Sequence, residues 1–184
     1  MTEFQYQPMF PLGEDATVYD CLTPDFVKVD PFGGTDTVRV APEALRLVSE
    51  KAFQDSAFLY RTRHLEQLAA ILKDPESSDN DRFVALEMLK NAVISADFVF
   101  PMCQDTGTAI IMGKKGQQIW TGFSDEAALA QGVFDAYTKN NLRYSQNAPL
   151  SMFDEKNTGR LQPVFFSTYM DRGAFWEYRR LFFV

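Results

Sequence analysis

Apolar residues return at helical spacing in three consecutive stretches of the first half of the chain. Over residues 43 to about 56, Leu45, Val48, Ala52 and Phe53 recur toward one face. Pro42 stands just ahead of them, where a first helical position tolerates proline because its missing N–H has no intrahelical partner. Residues 63–73 repeat the pattern with Leu65, Leu68, Ala69 and Leu72 and stop before Asp74-Pro75, and residues 80–95 repeat it with Phe83, Leu86 and Leu89. A further stripe of Leu129, Val133, Phe134 and Tyr137 runs to about Asn140 from the N-cap Ser124, with Asp125 and Glu126 complementing the positive end of the helix dipole.

Elsewhere the chain is strand-like. Residues 37–40 alternate, and residues 108–112 read as a strand ended by Gly113-Lys114-Lys115-Gly116, with residues 118–121 returning as its hairpin partner. Residues 98–100 are a short apolar run stopped by Pro101, and residues 164–169 and 178–184 are again strand-like. The first thirty or so residues, punctuated by Pro8, Pro11, Pro24 and Pro31, read as an irregular arm leading to a turn at Phe32-Gly33-Gly34, and residues 145–149 read as loop. Together these elements predict an α/β fold of helices packed on a small mixed sheet, in one domain over residues 1–184 without repeats or linkers.

Composition narrows the setting. At 184 residues, 46% hydrophobic and with 17 Phe, the chain can bury enough apolar surface to offset its ordering entropy. Its formal charge of -7 opposes general attraction to nucleic acid or anionic lipid, so an anionic ligand must meet a local cluster of Arg, Lys and backbone N–H groups. No run approaches the length of a membrane span, since even residues 92–102 are broken by Ser95 and Asp97. With two distant cysteines and no signal-like start, the expected setting is the reducing cytoplasm.

The densest chemistry lies in Pro101-Met102-Cys103-Gln104-Asp105-Thr106-Gly107-Thr108, where a thiol, an amide, a carboxylate and two hydroxyls precede a strand. By residue type alone, a lone Cys among apolar neighbours is more often a buried structural residue than a ligand. Asp-Thr-Gly also occurs in aspartic proteases, but that chemistry needs two such triplets sharing a proton and this chain has one copy. The second segment is Asn141-Leu142-Arg143-Tyr144-Ser145-Gln146-Asn147, where an Arg leaving a helix can present its planar fork to a carboxylate or merely complement the helix C-terminus. Cys21, in the arm, reads as a plain thiol, His64 as solvated or capping, Lys114 and Lys115 as a charged turn, and Trp120 as core.

Cys-Gln-Asp-Thr-Gly-Thr-Ala-Ile-Ile-Met-Gly-Lys-Lys-Gly from Cys103, with Trp120-Thr121-Gly122, Asp125-Glu126-Ala127-Ala128-Leu129-Ala130 and Leu142-Arg143-Tyr144-Ser145-Gln146-Asn147-Ala148-Pro149-Leu150, resembles the N-terminal region of class I fumarate hydratases. So do Phe10-Pro11-Leu12 and Val40-Ala41-Pro42-Glu43-Ala44-Leu45, and the likeness covers residues 4–159. It implies an iron-sulfur hydro-lyase of the tricarboxylic acid cycle that interconverts fumarate and malate. In that family three cysteines hold a [4Fe-4S] cluster with one iron open to substrate, and Cys103 matches the first of them. The same resemblance implies that Gln104 and Asp105 contact substrate, with Asp105 in the catalytic set, that Arg143 clamps a substrate carboxylate, and that the full-length enzyme is a homodimer. The identity of the base stays open.

After Asn157-Thr158-Gly159 the similarity fades, and residues 160–184 form a divergent end without the family's Gly-rich segment or its two further cysteines. The expectation is therefore a truncated chain, inactive alone. The rivals are a related hydro-lyase such as a tartrate dehydratase and a non-catalytic remnant.

Overall fold

The computed structural model describes residues 4–5, 7, 20–103, 109–142, 147–149, 151–157 and 165–171. Strand β1 (Val27–Phe32) pairs antiparallel with β2 (Thr35–Val40), and the register places Phe32 opposite Thr35. Gly33 and Gly34 connect them at φ of 58° and 81°, the positive pair that a tight hairpin matched to strand twist demands. The irregular arm expected through Pro31 is corrected here: its end is a strand. Pro31 is accommodated because β1 lies at the edge of the sheet, where a missing N–H costs no ladder bond.

Helix α1 (Pro42–Phe58) follows, then α2 (Thr62–Ile71) and α3 (Asp79–Ser95), all close to the spans the apolar spacing predicts. Ser78 caps α3 in a reciprocal box, accepting from the Asp81 amide at 3.2 Å while the Asp81 carboxylate accepts from the Ser78 amide at 2.9 Å. The inward stripe expected for α3 holds only at half-buried Leu89. Phe83 is 62% exposed and Leu86 41%, while the residues buried on this helix are Ala85 and Ser95. Small side chains let α3 approach its neighbours, and Ser95 turns inward because its hydroxyl donates to the Phe58 carbonyl at 2.8 Å. No described helix is long and apolar enough to cross a membrane.

Strand β3 (Ile110–Gly116) leads to β4 (Ile119–Trp120), but the expected hairpin between them does not form. β4 lies parallel to β2, with Val38 opposite Ile119, and β3 lies parallel to β7 (Phe165–Asp171), with Ile110 opposite Phe165. Gly113 to Gly116 continue the strand rather than turn, and the Gln118 carbonyl accepts from the Val38 amide at 2.9 Å, which commits β4 to β2. The sheet β1-β2-β4 is thus mixed, as expected. Trp120 is not core: it is 58% exposed, with the Arg39 guanidinium 5.5 Å from its ring centroid across the strand pair. Within residues 145–149, Asn147–Pro149 forms β5, antiparallel to β6 (Glu155–Asn157). The strand expected over residues 178–184 lies outside the described residues.

Helix α4 (Asp125–Lys139) starts at Ser124, whose hydroxyl accepts from the Ala127 amide as expected. It packs on α1 at close range. A Cβ added to Gly132 would stand 2.2 Å from the Arg46 carbonyl oxygen, so only glycine fits. Buried Ser49 donates to the Leu129 carbonyl at 2.9 Å across the same contact. The main core gathers Leu45 and Phe58 of α1, Leu129, Val133 and Tyr137 of α4, and Ala109, Ile111 and Leu142. A smaller cluster of Val38, Val40 and Ile119 sits under the mixed sheet.

Candidate functional site

Two elements converge on the segment that carries Cys103. The chain leaves α3 at Ser95 and turns through Phe98, a non-glycine residue in the left-handed region at φ 59° whose ring lies 5.2 Å from that of Phe58. Pro101 follows, and at Met102 both main-chain polar groups are engaged. The Met102 amide donates to the Ala57 carbonyl at the end of α1 at 2.9 Å. The Met102 carbonyl accepts from the Asn91 side chain of α3 at 2.8 Å. Cys103 is the next residue, exposed, in the loop between α3 and β3 as its position before a strand predicts. The reading of Cys103 as a buried structural thiol is thereby set aside.

Gln104 and Asp105 lie outside the described residues, as does Arg143. The chain around them is anchored in one place. Ala109, immediately before β3, and Leu142, which immediately precedes Arg143, belong to the same buried cluster as Phe58. Leu142 is fixed further by its amide, which donates to the Tyr137 carbonyl at 3.0 Å just beyond α4, after Asn141 at φ 50°.

Lys115 is not a turn residue. It stands on β3 with its side chain 20% exposed, and its ammonium donates to Asp125 Oδ2 and to Thr121 Oγ1, each at 2.7 Å. Its charge is spent on the first turn of α4 rather than offered to a ligand. His64 is exposed and meets the ring of Tyr60 edge-on at 4.9 Å, in keeping with a solvated role, and Cys21 is exposed as well.

Sequence reasoning missed the polar groups that hold this framework. Asp135 sits within the apolar stretch of α4, its side chain 9% exposed, paired with Arg46 of α1 at 2.5 Å and with Gln131 at 3.1 Å. Burial pushes its carboxyl up, yet the hydrogen bonds from Arg46 and Gln131 outweigh that and hold it below the usual carboxylate range. A charged residue inside an apolar stripe was the available signal. Burial alone pushes the Tyr137 phenol above its ordinary value.

The donor set fits one corner of an iron-sulfur cluster, since an exposed thiol on a held backbone suits a soft metal. It does not fit a whole cluster. Among the described residues no three His, Cys, Asp or Glu side chains come together as a metal site, and the sequence has 2 cysteines.

Residues 47–179 match the family model described as fumarate hydratase (Fumerase). Over 178 residues the chain is 53% identical to the aerobic class I fumarate hydratase of Escherichia coli, covering 97% of this chain and 32% of that protein. The anaerobic class I fumarate hydratase of the same organism is 51% identical over 97% of this chain and 32% of its own length. The mitochondrial fumarate hydratase 1 of Leishmania major is 48% identical over 99% of this chain and 33% of its length. The chain thus spans about a third of the length of these curated relatives.

Proposed function

The chain belongs to the fumarate hydratase family, and from that premise we propose that it contributes one wall of a site where fumarate and malate interconvert. Cys103 supplies one thiolate to a [4Fe-4S] cluster, Gln104 and Asp105 contact the substrate, and Arg143 holds one of its carboxylates. The bound cluster would supply an iron that accepts the hydroxyl of malate as a Lewis acid. The chain's own residues do the positioning. The planar guanidinium of Arg143 suits bidentate capture of a carboxylate, and Asp105 stands in the catalytic set beside the ligand cysteine. A reducing compartment such as the cytoplasm suits a thiolate ligand, and homodimeric assembly belongs to the same reading.

The observation that carries this reading is Cys103 itself, an exposed thiol leaving a backbone held from two helices. The shared anchoring of Ala109 and Leu142 supports a common site for the segments of Cys103 and Arg143. With 2 cysteines in the sequence, one copy cannot provide three thiolates. Anaerobic reconstitution of this chain by itself with iron and sulfide is therefore expected to give no stoichiometric cluster absorbance and no hydration of fumarate.

The positive test replaces the matching segment of the aerobic Escherichia coli relative with this chain. The chimera should load a cluster, Cys103→Ser should abolish that absorbance, and Arg143→Lys should lower kcat/KM for malate although the charge is kept, because the fork is lost. Full cluster loading in Cys103→Ser, or unchanged kcat/KM in Arg143→Lys, would remove those roles.

A further inference from the structure

We propose that Asn91 is a positioning residue for Cys103, acting through the Met102 carbonyl. The inference deepens the reading of Cys103 as a cluster ligand, and its functional meaning rests on that reading. Asn is an indifferent choice inside a helix, because its amide competes with the backbone for hydrogen bonds. At position 91 that amide is not directed at its own helix but donates to a carbonyl 11 residues further on.

The geometry around Met102 makes this contact directional. Pro101 restricts the backbone just before it, the Ala57 carbonyl takes its amide at 2.9 Å, and Asn91 takes its carbonyl at 2.8 Å. The peptide plane between Met102 and Cys103 contains that carbonyl and ends at the Cys103 Cα, so fixing it fixes the atom from which the Cys103 side chain departs. The two anchors are held in relation to one another, since Ser95 of α3 donates to Phe58 of α1 at 2.8 Å.

Burial does only part of this work. Phe98, Val99 and Phe100, just before the pinned residue, are 40%, 66% and 66% exposed. Beyond the Phe98 ring resting on Phe58, the hydrogen bonds at Met102 fix the chain as it reaches Cys103. A thiolate that must meet a metal within a few tenths of an ångström needs such support.

The test uses the full chain and needs no cofactor, with Cys21 as an internal reference thiol because it is also exposed. Asn91→Asp keeps the shape and removes the donor, and Asn91→Leu is a second variant in case the carboxylate unsettles the helix. Losing one hydrogen bond should raise hydrogen exchange at the Met102 amide about fivefold. The ratio of Cys103 to Cys21 alkylation by iodoacetamide should shift at least threefold, while amides of α4 keep their exchange rates.

Unchanged exchange and an unchanged ratio in both variants would overturn the proposal. Faster exchange shared with α4 would overturn it too, as general loosening. Faster exchange at Met102 with an unchanged thiol ratio would show that Asn91 holds the loop without positioning the thiol, and that also overturns it. Cys103→Ser with Asn91 intact should leave Met102 exchange at the wild-type rate. A failure of the cluster reading in the chimera is therefore distinct from a failure of the positioning role.

Discussion

Helices α1 and α4 meet so closely that Gly132 lies under the Arg46 carbonyl, with Ser49 and the Arg46–Asp135 pair crossing the same contact. Helices α2 and α3, by contrast, bury only Leu68, Ala85 and Ser95 between them, and α3 turns Phe83, Val84, Leu86, Val93 and Ile94 outward. One pair is interlocked by shape and by buried polar groups. The other buries little, and α3 is tied to its surroundings by the Ser78 cap and by hydrogen bonds from Asn91 and Ser95. Cys103 is suspended between them, since its preceding residue is tied to Ala57 on the interlocked side and to Asn91 on the looser side. The loop that bears Cys103 thus draws one hydrogen bond from each side of the contrast.

The largest break in this contrast is expected from Gly132→Ala. The added methyl meets backbone at 2.2 Å from the Arg46 oxygen and 2.9 Å from the Glu50 amide, and backbone cannot step aside as a flexible side chain can. Separating the helices should cost about 3 kcal/mol, at the upper end of ordinary overpacking. In a chain of this size that corresponds to a fall in melting temperature of roughly 10 °C. Thermal unfolding followed by circular dichroism measures it, and a melting temperature within about 2 °C of wild type would show that α1 and α4 are not interlocked as described.

That close approach also marks where sequence stops being informative. The helices were legible because Leu45, Leu68, Leu129 and Val133 obey the helical period, and the cap at Ser124 follows from residue type alone. Gly132 was not legible, because its need is imposed by a partner helix far away in the chain. The α3 stripe misled for a related reason: Phe83 and Leu86 have the right spacing, but Ala85 and Ser95 decide which face turns inward. Strand partners failed as well. β3 and β4 are neighbours in sequence, yet their pairing depends on β7 and β2, which local pattern cannot see. The candidate site divided in the same way. The loop before β3 was legible from its place ahead of a strand, but residue type alone favoured a buried Cys103 and only the family resemblance pointed to a ligand, whereas Asn91, whose amide holds that loop, was hidden within an apparently ordinary helix.

A smaller effect should sharpen the interlocked side through pH. The Asp135 carboxyl is held below its unfolded value, so its contribution to stability is fully present above the unfolded carboxylate pKa of about 4 and is lost as pH falls through the folded value. The melting temperature of the wild-type chain should therefore fall more steeply below about pH 4 than that of Asp135→Asn, which has no such proton to take up. Arg46, with its side chain 49% exposed, remains hydrated in the variant, so the fold should survive the change. Parallel melting curves from pH 5 to pH 2.5 would show that the pair adds no net stability.

The smallest effect is expected on the other side of the comparison, at Val93. This residue is 73% exposed on α3, so replacing it with Ser removes little apolar contact and buries no hydroxyl. Val and Ser also differ little as helix residues, which leaves no mechanism for a large loss. The change in unfolding free energy should stay within about 0.5 kcal/mol, against about 3 kcal/mol for Gly132→Ala. Urea denaturation of the two variants side by side reads the difference directly. A loss of 2 kcal/mol or more at Val93 would mean that the outward face of α3 is covered in solution, and the contrast between a locked pair and a loosely held one would have to be given up.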